Sequence, residues 1–216
     1  MSFPTTPVLD TFNRTAEDPL SDGGKWTNNF EGSGSLKTDG TTCAISSGTS
    51  GQAVRNDVTP GPDCEVYVTQ SAEPDVGSGS IALYARLVNL GAGTTDGYTL
   101  DCPRERSGTD EWRLFRRDNG VDTQLGASFL QEVINGDSMG LEIVGSTLTV
   151  YYRSQGGGWT SLGTRTDATY SAAGSIGVFL NGSTSPVVND FGGGTVVAPG
   201  RTPYQPWTQR APILAQ

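Results

Sequence analysis

What most restricts the fold of this chain is an alternation of apolar and polar residues with a period of two, cut at short intervals by turn residues. Cys64, Val66 and Val68 alternate with Glu65, Tyr67 and Thr69, and Ile81, Leu83, Ala85 and Leu87 alternate with Ala82, Tyr84 and Arg86. Successive side chains of a strand point to opposite faces, so the pattern predicts half-buried strands rather than helices. The breaks are equally informative. Asp39-Gly40, Asp96-Gly97, Asn119-Gly120, Asn135-Gly136 and Asn181-Gly182 supply residues that accept positive φ in tight reversals. About fourteen strands are predicted between Val8 and Phe191. Only Phe129 to Asn135 reads as a helical turn or two. No internal repeat is visible, which argues against a propeller or solenoid. Strands this short need a second packed sheet to bury their apolar faces, so an all-β, two-sheet antiparallel sandwich is expected.

Composition narrows the function. The 216 residues suit one sandwich domain, and the 34% apolar content reaches an ordinary value once the 30 Gly are added. A net charge of −9 repels phosphates and anionic headgroups, so neither nucleic acid nor a membrane is an expected partner. No apolar run approaches the roughly 18 residues of a membrane helix. The opening residues Met1 to Pro7 lack the basic and apolar regions of a signal peptide, so synthesis in a cytoplasm without one is expected. Cys43, Cys64 and Cys102 match neither a disulfide framework nor a metal motif and read as buried thiols.

Catalysis finds little support. With no histidine in the chain, Ser-His-Asp and Cys-His mechanisms are excluded. Gly136-Asp137-Ser138-Met139-Gly140 matches G-x-S-x-G but precedes a strand and has no partner base. Retaining glycosidases need two carboxyls about 5 Å apart, and the nearest approach to a suitable acidic run, Glu73-Pro74-Asp75, lacks the second glutamate and carries a strand-breaking proline. The chain is therefore expected not to be an enzyme, a glycoside hydrolase being the least favoured reading.

The outward faces share a chemistry of their own. If Trp112 and Leu114 point inward, Arg113, Phe115 and Arg117 point out; inward Leu148, Val150 and Tyr152 leave Tyr151 and Arg153 outward. Aromatic rings stack on sugar faces and arginines bind hydroxyls or carboxylates, so Tyr67, Tyr84, Arg86, Arg113, Arg117, Tyr151 and Arg153 are the candidate glycan-binding residues. The alternative is that such residues simply favour and cover strands. From 198 onward the alternation stops and four prolines favour an extended path. This arm, 198–216, is either a frayed tail or an attachment element whose anchors are Tyr204, Trp207, Ile213 and Leu214.

The opening Leu9-Asp10-Thr11-Phe12-Asn13-Arg14, with Trp26 and Gly34-Ser35-Leu36-Lys37-Thr38-Asp39-Gly40, resembles the start of concanavalin A-like (laminin G-like) jelly rolls. Gly140-Leu141-Glu142-Ile143, Thr147 to Tyr151, Trp159 to Leu162, Gly174 to Val178 and Val188-Asn189-Asp190-Phe191 follow the strand order of that family. The resemblance implies a lead-in over 1–7, a jelly roll over 8–197 and the arm beyond. It implies pairing of the first and last strands, bringing Asp10 near Asp190, where such carboxylates can hold calcium; turn capping or pairing with Arg14 is the alternative.

Free-standing copies with a D-x-F-N-R opening resemble accessory structural proteins of tailed bacteriophages. That implies a virion component, a minor tail protein binding host cell-surface carbohydrate, attached to other virion proteins through the arm and homo-oligomeric in the particle. A capsid decoration protein without a ligand is the alternative.

Overall fold

The computed structural model describes residues 2–182 and 186–196, so the arm with Tyr204, Trp207, Ile213 and Leu214 lies outside the described residues. Sixteen strands and no helix are found among the described residues: β1 (Val8–Asp10), β2 (Trp26–Asn28), β3 (Leu36–Thr38), β4 (Cys43–Ile45), β5 (Ser50–Arg55), β6 (Cys64–Ala72), β7 (Ser80–Val88), β8 (Asp96–Pro103), β9 (Glu111–Asp118), β10 (Val121–Gln124), β11 (Phe129–Leu130), β12 (Ser138–Val144), β13 (Thr147–Arg153), β14 (Trp159–Thr166), β15 (Ser175–Asn181) and β16 (Val187–Thr195). The helical turn expected at Phe129 to Asn135 is corrected. Phe129 and Leu130 instead pair with Trp112 and Glu111 as β11, because burying the Phe129 ring against the core outweighs local helix preference.

Two antiparallel sheets are packed face to face. The first runs β14-β13-β12-β6-β16-β4-β3 with β1 on β16, the second β10-β9-β8-β7-β15-β5-β2 with β11 on β9. First and last strands do pair: Val8 lies opposite Gly192 and Asp10 opposite Phe191. Between the sheets one apolar core gathers inward residues of both, with Phe12, Trp112, Leu83, Leu100, Leu141 and Val178 essentially inaccessible. Cys43, Cys64 and Cys102 are unpaired and buried in it, and burial pushes the Cys64 thiol up to about 11.

The D-x-F-N-R opening has a structural role. The Asp10 carboxylate accepts from the Phe12 amide at 2.7 Å, from Arg14 at 2.6 Å and from the Trp26 indole at 2.7 Å. Arg55, 2% exposed, lies 3.5 Å from the same carboxylate and 5.0 Å over the Trp26 ring. Phe12 takes φ of 57°, which turns the chain after β1 and drops its ring into the core. One acidic residue thus ties the terminal strand to β2 and β5.

A bulge in β7 overturns two assignments made from alternation. Pairing with β8 slips between Ala85 and Val88, and Arg86 adopts φ of 52°. An extra residue reverses the faces beyond it. Leu87, expected inside, joins Tyr84 and Val54 in a cluster on the outer face of the second sheet. Arg86, expected outside, is 1% exposed and donates to the carbonyls of Pro62 at 2.5 Å, Tyr170 at 2.8 Å and Gly145 at 2.9 Å. It ties together the loops at one end of the sandwich and is not available to a glycan.

Candidate functional site

The outer face of the second sheet carries a groove. β9 places Arg113, Phe115 and Arg117 on it at every second position, and β8 adds Thr99 and Asp101 opposite Phe115 and Arg113. β7 contributes Ser80, Ala82 and Tyr84, which β15 flanks with Phe179 and Asn181. The β9–β10 reversal uses Asn119 and Gly120, with φ of 50° and 78°, and this primed-turn geometry sets Asp122 opposite Arg117. The resulting depressions, about 310 and 270 Å³, share Ser80, Asp101 and Asn181 and so form one continuous trough.

At one end the segment between β2 and β3 folds over the face. Phe30 meets Tyr84 edge to face at 6.0 Å, and Glu31 accepts from Arg117 at 2.9 and 3.0 Å. The Gln52 amide bridges them, its oxygen accepting from the Glu31 amide at 2.9 Å and its nitrogen 3.2 Å from the Tyr84 hydroxyl. Tyr84 is 4% exposed, and burial drives its phenol well above the ordinary range. Expected as an outward ligand, it is instead the floor of the groove, because Phe30 and Phe179 cover it. Arg117 is also held by Asp122 at 2.8 Å, and Arg113 by Glu105 at 2.6 Å.

Polar atoms in the trough are left with capacity to spare. The Thr99 hydroxyl, on a residue 5% exposed, is buried without a hydrogen-bond partner among the described residues. Burial raises the Asp101 carboxyl above its ordinary value, offset in part by Ser80 and Arg113. It does the same to Asp122, where Arg117 opposes the shift. Hydroxyls, carboxylates, an amide and the half-buried rings of Phe115 and Phe179 therefore line one surface. Of the expected residues it brings together Tyr84, Arg113 and Arg117. Thr99, Asp101, Asp122, Phe179 and Asn181 were not anticipated; the same alternation marks them as outward, but only strand order makes them neighbours.

Tyr67, Tyr151 and Arg153 lie on the other outer face, that of the first sheet, which the chain's own start covers. Phe3, 6% exposed, stacks on Tyr151 at 4.1 Å and meets Trp159 and Tyr67 edge-on at 4.8 and 6.1 Å. It sits on Gly140, where a Cβ would collide with its ring. One carboxylate oxygen of Glu65, a fully buried residue, accepts from the amides of Thr5 and Thr6 and from both their hydroxyls. Tyr67 donates its hydroxyl to the Thr6 carbonyl at 3.0 Å, and burial pushes that phenol up to about 12. Residues expected only as a lead-in are thus part of the packed structure.

Calcium does not fit at the joined termini. Both Asp10 oxygens are engaged by hydrogen-bond donors and flanked by the guanidinium groups of Arg14 and Arg55, whose positive field disfavours a dication there. Asp190 lines a different cavity with Thr69 and Arg153, and among the described residues no group of three or more His, Cys, Asp or Glu is placed to hold a metal.

No protein-family model and no curated protein matches the chain. Solved structures do match. The exoplasmic/lumenal domain of VIP36 in its Ca2+/Man3GlcNAc-bound form superposes with a TM-score of 0.63 at 13% identity, over 83% of this chain and 87% of that one. The fold is that of a concanavalin A-like jelly roll, a legume-lectin-like β-sandwich. The carbohydrate-binding module CBM66 from Bacillus subtilis gives 0.57 at 16% identity over 82% and 97% of the two chains. A legume lectin-like domain from Entamoeba histolytica gives 0.58 at 14% over 84% and 96%. These similar structures are lectin-like or carbohydrate-binding domains rather than enzymes, and none points to a bacteriophage origin.

Proposed function

We propose that this protein is a non-enzymatic carbohydrate-binding domain whose ligand lies in the trough on the outer face of the second sheet. The observation that carries the reading is the convergence there of two half-buried aromatic rings, Phe115 and Phe179, with Asp101, Asn181 and the unpartnered Thr99 hydroxyl. Rings stack on the C–H faces of a sugar, while carboxylate, amide and hydroxyl groups match hydroxyls that both donate and accept. Arg113 and Arg117 already hold carboxylates, so they suit orientation of neutral hydroxyls better than capture of a free anion. The sugar-bound VIP36 structure and CBM66 support the same class of ligand on the same fold.

Titration with a panel of neutral oligosaccharides tests this. Binding is expected to weaken about tenfold in Phe115→Ala, the loss of one stacking contact with its buried area, while the melting temperature stays near that of the parent. Absence of binding to every neutral glycan in a broad array would overturn it. Display on a virion, as a minor tail or capsid decoration protein with homo-oligomeric assembly, is a proposal resting on the resemblance of the opening residues alone; mass spectrometry of purified particles carrying the gene tests it.

A further inference from the structure

A second cavity, about 570 Å³, opens at the other face, where the end of β6, the start of β16 and the loops flanking β12 and β13 meet. Its lining contains an arginine and an aspartate that nothing neutralises. Arg153 donates to the Ser138 hydroxyl at 2.8 Å and lies 5.1 Å over the Trp159 ring, but no carboxylate pairs with it among the described residues. The Asp190 side chain makes no hydrogen bond or ion pair with the described residues, and the residue sits at φ of 50° in the bulge of β16 between Asn189 and Gly192. One amide atom beside them is also unspent: the Asn189 oxygen is buried without a partner among the described residues.

Arginines of the trough differ in that each is already spent on a carboxylate: Arg113 on Glu105, Arg117 on Glu31 and Asp122, Arg104 on Glu73. A polar group that is buried unpaired costs free energy, and it recovers most when its partner is of opposite charge. The cavity offers one cation and one anion without a charged partner and one unsatisfied amide acceptor in the same lining.

From this set we infer that the cavity binds a small zwitterion, its carboxylate on Arg153 and its ammonium on Asp190 and Asn189. A polyol would satisfy the amide but leave both charges with neutral partners. The site is separate from the trough and does not depend on a glycan being bound there.

Calorimetric titration of the intact chain with an ω-amino acid series from glycine to 5-aminovalerate reads the inference, with acetate, methylammonium and glucose as single-charge and neutral probes. At least one zwitterion is expected to bind at least about tenfold more tightly than any of the three controls, with affinity falling as salt rises. Asp190→Asn, which tolerates the same left-handed backbone, should lose about tenfold or more in affinity without a change in melting temperature. Arg153→Gln should lose as much and Arg153→Lys less, which separates a charge effect from the packing on Trp159. Failure of the whole series to bind, binding unchanged in Asp190→Asn, or glucose binding more tightly than every zwitterion would overturn it.

Discussion

The two outer faces of the sandwich are built from the same kinds of residue and end in opposite states. On the first sheet Tyr67, Tyr151 and Trp159 enclose Phe3, and the buried Glu65 takes the amides of Thr5 and Thr6, so the aromatic surface is filled by the protein itself. On the second sheet Phe115 and Phe179 remain half-buried above a floor of Tyr84, with Asp101 and Thr99 lacking a full set of partners. An aromatic, arginine-rich strand face is therefore not by itself a binding surface. What decides is whether another segment of the chain reaches it first.

Removing the plug should have the largest effect. Phe3→Ala is expected to destabilise the protein by about 3–5 kcal/mol, the usual cost of truncating a buried phenylalanine, and to lower the melting temperature by about 10 °C. Gly140→Ala should act in the same direction, since its Cβ would collide with the ring. If calorimetry finds neither variant shifted, the first face is not held closed and the contrast fails. Next in size is Arg86→Met, expected to cost about 3 kcal/mol in urea unfolding because three carbonyls lose a buried cationic donor. Lysine should not rescue it, having no planar fork to reach all three.

The open face should respond differently. Phe115→Ala is expected to change stability by under about 1 kcal/mol while losing binding, the reverse of Phe3→Ala. Asp101→Asn sharpens this further through pH. Burial raises the folded-state Asp101 carboxyl above 3.8, so its ionisation works against folding, a penalty absent at acid pH and complete once pH has risen past the raised value. The asparagine variant should therefore match the parent at low pH and melt slightly higher at neutral pH, while binding glycan less well. A variant less stable at neutral pH would show that Asp101 is structural rather than reserved for a ligand. Smallest of all, neither a chelator nor added calcium should move the melting temperature, because Arg14 and Arg55 already neutralise Asp10; a rise with calcium would contradict that assignment.

Alternation and turn chemistry made the fold legible. The strand from Ser138 to Val144 and the positive-φ turns at Gly40, Gly120, Gly136 and Gly182 follow from side-chain period and steric freedom, which are local properties, whereas Asp96-Gly97, read as a reversal, begins strand β8 and the turn falls before it. The site was legible only in part. Arg113, Phe115 and Arg117 were read correctly as outward, since one strand's pleat fixes their common face. Arg86 was misread because a bulge reverses the pleat and no residue of β7 announces one.

The residues alone determined an antiparallel sandwich, because period and punctuation act over a few positions at a time, and its closure by the first and last strands was implied only by the resemblance of the opening to a known family. Tertiary structure decided which outward faces became neighbours, that Phe3 fills one of them, and that Arg153 and Asp190 face a common cavity without an ion-pair partner among the described residues. Those outcomes depend on strand order and on contacts between segments some sixty or more positions apart, such as Thr6 with Glu65 and Thr69 with Arg153. Nothing in the local pattern records which distant segment arrives.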